Sequence, residues 1–159
     1  MHYKKLFIIS ICLISVNVSA NTWKQELKHR VQTTHQQFTS AIERCDNQRL
    51  SSPKKIQSSW FDKLSKEKKF AAITYLSFMA DEHCYEKELN AYSGALVNYV
   101  SETGDRKQLN TLIKTRRVYQ PTGTEQYFNS IDISKLKSIA EKSELQTPFD
   151  SLALADLYR

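Results

Sequence analysis

The sequence predicts an all-α protein, and three observations carry that expectation. Only three glycines occur in 159 residues. Strict apolar–polar alternation, the pattern a half-buried strand needs, is almost missing. Helix-capping side chains recur just ahead of stretches whose apolar residues fall three and four apart. The expected form is a compact single-domain bundle of about five to seven helices, held once by a disulfide.

Residues 1–20, MHYKKLFIISICLISVNVSA, read as a secretory leader. Lys4 and Lys5 form a basic start, Leu6 to Val18 an apolar middle, and Val18-Ser19-Ala20 a small-residue cleavage site. The apolar run is shorter than the roughly 20 residues a membrane span requires. Cleavage after Ala20 leaves one helical domain, residues 21–159, with no transmembrane span. The leader's two lysines are its only charges, so the formal net charge falls by two, from +6 to +4. The address implied is bacterial, periplasmic or secreted.

The first helix of that domain is expected over residues 22–49. Thr22 and Gln25 have capping-box spacing. Trp23, Leu27, Val31, Thr34, Phe38, Ile42 and Cys45 make one narrow stripe, and the other faces are polar. A single stripe means a single buried face, so this helix belongs on the outside of the bundle. Asp46 to Lys55 reads as a turn. Ser52-Pro53 reads as the start of a short second helix carrying Ile56, Trp60, Phe61 and Leu64, with proline where its missing N–H costs nothing.

Ser65 to Cys84, SKEKKFAAITYLSFMADEHC, is the expected central helix. Ser65 is its N-cap, and Glu67 favours the positive end of the helix dipole. Phe70, Ile73, Leu76, Met79 or Ala80, and Cys84 share one face, and Ala71, Ala72, Tyr75 and Phe78 extend the apolar sector almost all round. Beyond Cys84 the stripe changes phase to Tyr85, Leu89, Tyr92, Leu96 and Tyr99 or Val100, so either one long helix buries two faces or, the favoured reading, it kinks or breaks near residues 88–90. Gly104 should end the helix.

Asp105 should cap the next helix, with Gln108 in the capping-box position and Leu109, Leu112, Ile113 and Val118 apolar. Pro121-Thr122-Gly123 is a loop. Tyr127, Phe128 and Ile131 suggest a helical turn. Asp132 or Ser134 starts another helix through Leu136, Ile139 and Ala140. Thr147, with Pro148 at the first helical position and Asp150 behind it, should cap the last.

Cys45 and Cys84 are the two cysteines outside the leader, so an oxidising compartment leaves them one intramolecular pairing. Closing a loop of that length stabilises the fold by about 4 kcal/mol in the chain-entropy account. That is a large part of the roughly 5–15 kcal/mol typical of a domain.

No constellation in the chain specifies a reaction, and the sequence calls for no metal or cofactor. HEXXH, G-x-S-x-G and C-x-x-C spacings are absent. Glu82, His83 and Glu86 form a polar cluster, with His83 and Glu86 on one helical face. A solvated acidic patch accounts for them as well as a general base does. His29 and His35 fall on the polar side of the first helix.

Basic residues gather in two groups: Lys54, Lys55, Lys63, Lys66, Lys68 and Lys69, then Arg106, Lys107, Lys114, Arg116 and Arg117, followed by Tyr119. Outside the cytoplasm such groups meet acidic proteins, anionic lipid or glycan rather than nucleic acid. Arg116, Arg117 and Tyr119 form the candidate interaction face, because arginine pairs bidentately and aromatics anchor interfaces. The favoured reading is a non-catalytic interaction module for another envelope or secreted protein, such as an accessory factor of an envelope machine or an inhibitor or immunity-type protein. The alternatives are a binder of a small apolar or anionic ligand between helices, or a hydrolase of envelope polymers using acids of the 81–88 segment.

Overall fold

The structure, a computed structural model, describes residues 3–116 and 125–159, with side chains from Thr22 onward except those of Glu125 and Ser143. Among these residues the chain forms seven α-helices and one 3-10 turn: α1 (Tyr3–Asn47), α2 (Ser59–Asp62), α3 (Lys66–Thr103), α4 (Lys107–Arg116), α5 (Glu125–Phe128), α6 (Ile133–Ala140), the turn Ser143–Leu145, and α7 (Ser151–Asp156). The all-α expectation holds. Val118, Arg117, Tyr119 and the loop expected at 121–123 lie outside the described residues. No described helix is long and apolar enough to cross a membrane.

Two long helices, α1 and α3, run antiparallel. Cys45 near the end of α1 is bonded to Cys84 in the middle of α3, with Cα atoms 6.0 Å apart. Val31, earlier in α1, packs with Tyr92, Ala95 and Leu96, later in α3. α1 begins at Tyr3 rather than at Thr22, because neither glycine nor proline interrupts residues 3–47. Thr22 therefore lies inside the helix rather than at its start. The single stripe is as expected: Leu27, Val31, Ala41 and Cys45 are buried, and Thr34, Phe38 and Ile42 are half-buried. Trp23 departs from it and is exposed, since it lies level with the end of α3, where little remains to pack on.

α3 is the axis of the fold. Ser65 caps it and accepts from the Lys68 amide, and Gly104 closes it with φ 75°, donating its amide to the Val100 carbonyl at 2.8 Å. Only a residue without a Cβ enters that left-handed conformation at no cost. The expected break at 88–90 is instead a single non-helical residue, Tyr85 (φ −116°, ψ 15°), directly after the disulfide. This kink explains the change of stripe. Before it, Ala71, Ala72, Ile73, Leu76 and Ala80 join a core with Phe61, Ile131, Leu136, Ile139, Phe149 and Leu154 from α2, α6, α7 and the links between them. After it, Tyr92, Ala95 and Leu96 form a second core with Val31, walled by Phe38, Tyr99, Leu109 and Leu112. One helix thus serves two cores, and the helix has to turn between them.

Two expected helix starts are corrected, one of them by a long-range pairing. Leu50 and Phe149 form a parallel bridge: the Leu50 amide donates to the Pro148 carbonyl at 2.8 Å, and the Asp150 amide donates to the Leu50 carbonyl at 2.9 Å. Both segments must be extended to do this. Pro148 therefore cannot open a helix behind Thr147, and Asp150 becomes the N-cap of α7, accepting from the Leu152 and Ala153 amides. Likewise Pro53 lies in irregular chain, and α2 starts after Ser58, whose hydroxyl accepts from the Phe61 amide. Asp132, one of the two residues expected to start α6, is its cap.

Candidate functional site

The acidic run 81–88 is divided among three arginines from different parts of the chain. Arg49, just past α1, lies 3.0 Å from Asp81 and also donates to Asp46 at 2.8 Å and to the Phe149 carbonyl at 3.2 Å. Arg116, the last described residue of α4, pairs with Glu82. Arg44 approaches Glu88 at 3.7 Å and donates to the Cys84 carbonyl at 3.3 Å. The three clamps flank the kink and the disulfide, so these acids hold helices together.

Asp81 is the most buried of them. Burial pushes its carboxyl above the ordinary value, and Arg49 opposes part of that rise. Its Oδ1 is out of solvent and is served by Arg49's charge rather than by an aligned hydrogen bond.

The Glu82, His83 and Glu86 cluster is not brought together. Glu82 faces α4, whereas exposed His83 borders a shallow concavity of about 240 Å³ with Met79, Lys137 and Glu141. Glu86 is exposed. A hydrolase needs an acid and its base converging on one point, and these residues do not converge. Among the described residues no three His, Cys, Asp or Glu side chains gather where an ion could sit. His29 and His35 are exposed, as expected, with the His35 ring 5.0 Å from that of Tyr92. Of the candidate face, Arg116 is committed to Glu82, and Arg117 and Tyr119 lie outside the described residues.

A different surface joins apolar and basic groups. A groove of about 540 Å³ lies between the start of α3, α5 and α7. Buried Ile73 sits at its base, and Tyr127, Phe70, Leu152 and Tyr158 line it. Phe70 and Leu152 are 40% and 61% exposed, so the groove carries apolar surface the fold leaves uncovered.

Tyr158 is anchored from below. Its hydroxyl accepts from the Ile56 amide at 2.7 Å and donates to the Ile56 carbonyl at 3.3 Å, and burial raises it above the ordinary tyrosine value. With the hydroxyl so held, the ring face is left for contacts. Lys55 and Lys69 ammonium groups stand 4.9 and 5.5 Å from its centre. Lys66, Lys69, Arg159 and Glu67 border the groove.

The sequence flagged these lysines as a charge cluster and Ser65–Cys84 as the central helix. It placed Phe70 in the core stripe and Leu152 in the packed face of the last helix. Both are exposed because α7 is only six residues long and docks by Leu154.

A second concavity, about 510 Å³, lies between α1, α3 and α4 and is lined by Phe38, Phe78, Tyr85, Tyr92 and Arg116. Comparisons with protein-family models, curated proteins and solved structures found no match to the chain.

Proposed function

We propose that this chain is an exported, non-catalytic interaction module that binds another envelope or secreted protein. The observation that carries the reading is the groove between α3 and α7, where Phe70 and Leu152 stay exposed beside Lys66 and Lys69. Aromatic and aliphatic anchors with a polar, charged rim are the composition of a protein-binding patch. Glu82 faces α4 while His83 borders a separate concavity, so this pair lends the hydrolase alternative no support. Export is supported by the leader sequence and by the Cys45–Cys84 bond, which persists in oxidising compartments.

The test is affinity capture from the envelope fraction of the source organism, followed by light scattering on the recovered complex. A protein partner in fixed stoichiometry is expected. Recovery of glycan or lipid with no protein partner would overturn the reading.

A further inference from the structure

We infer that the α3–α7 groove receives a peptide segment of the partner that carries apolar anchors flanked by acidic side chains. This rests on the interaction-module reading and names the chemistry of what is bound.

The charge bordering the groove is mainly positive: Lys66, Lys69 and Arg159 stand against Glu67. Among the described residues no carboxylate lies within ion-pair distance of Lys55, Lys66 or Lys69. Arg159 is held by Asp156 at 3.0 Å. Glu67 is the acid on the rim, and hydrogen bonds from its own backbone and from Ser65 hold it below the ordinary value. The start of a 38-residue helix adds its positive end at the same place. Lys66 and Lys69 thus border the apolar trough at a helix start, and Lys55 stands beside it over the Tyr158 ring.

The shape selects the kind of occupant. Phe70, Tyr127, Leu152 and Tyr158 line the groove with buried Ile73, which suits apolar side chains projecting from a docked segment. Lys69 and Lys55 are steadied against the Tyr158 ring, so their charges are placed before a partner arrives.

The test uses two helical peptides of about 14 residues with leucines at i, i+3, i+4 and i+7. One carries glutamate at the flanking positions and the other lysine. Each is titrated into the isotope-labelled protein while amide shifts are followed. The inference expects the glutamate peptide to bind with shifts centred on Phe70, Tyr127, Leu152 and Tyr158. Lys66→Glu with Lys69→Glu should weaken it by about tenfold or more and reverse the preference toward the lysine peptide. Leu152→Ala, a change at an exposed position, should weaken both peptides.

Equal binding of the two peptides, shifts centred elsewhere, or no binding would overturn the inference. So would binding only to vesicles of phosphatidylglycerol and phosphatidylcholine in equal parts. Failure of the peptides with a stoichiometric partner still captured removes this inference alone. Failure of capture removes the reading beneath it.

Discussion

Arg49 Nη2 lies 3.0 Å from Asp81 Oδ1, and the same guanidinium reaches Asp46 and the Phe149 carbonyl. One side chain thereby ties the end of α1, the middle of α3 and the extended segment ahead of α7. Asp81 stays in a partly buried place that raises its proton affinity.

That burial has a pH signature. The folded state keeps the Asp81 proton at pH values where the unfolded chain, with a pKa of about 3.9, has already lost it. Asp81's contribution is therefore most favourable below the unfolded value and declines as pH rises through the raised folded value. Asp81→Asn removes this decline. Urea unfolding across the acid range should show the variant gaining on the parent as pH rises, and a difference that stays flat or falls would contradict the assignment.

The Cys45–Cys84 bond joins residues 39 apart in sequence. Its loss should lower stability by about 4 kcal/mol in the chain-entropy account. Denaturant unfolding with and without reductant measures this, and alkylation without reductant should label neither cysteine.

Phe149 has no exposed surface; it lies between the Pro148 carbonyl and Asp150 amide that bond Leu50, and its own carbonyl accepts from Ser77 at 3.3 Å. Phe149→Ala empties the first core while leaving those backbone bonds available. A loss of about 3–5 kcal/mol is expected in urea unfolding. A loss below about 1 kcal/mol would mean that Phe149 does not join α7 to the core.

α4 has no buried residue, and it is held by half-buried Leu109 and Leu112 and by the Arg116–Glu82 pair. Its amides should exchange faster than those of α3 on either side of the kink. A double-mutant cycle on Arg116→Ala and Glu82→Ala should give a coupling of about 0.2–1 kcal/mol, the range for a partly exposed pair. Slow exchange in α4 would contradict this view of its attachment.

Local signals were legible in the sequence, and long-range ones were not. Ser65, Gly104 and Asp132 act on amides or conformations within their own turns, so residue type alone located them. Ser52-Pro53 and Thr147-Pro148 carry equally good local signals, yet Pro148 is drawn into extended chain by Leu50, 98 residues before it, and Pro53 follows in irregular chain. The change of stripe after Cys84 announced a bend, and the bend falls at Tyr85, the first residue of the second stripe, rather than at 88–90. The arginine partners of Asp81, Glu82 and Glu88 were invisible for the same reason as the bridge. The groove was half legible: its lysines stood out as a cluster, but its exposed apolar walls depend on where a six-residue helix docks.

The central claim is that the α3–α7 groove is where a partner protein binds. The most direct test places a photo-crosslinking residue at position 152, with a control at Val97, which is 56% exposed on another part of α3. Irradiation in the native envelope should give one crosslinked protein from position 152 and none from 97. That product should disappear when Lys66 and Lys69 are both changed to glutamate. Equal crosslinking from the two positions, or a product indifferent to the lysines, would contradict the claim.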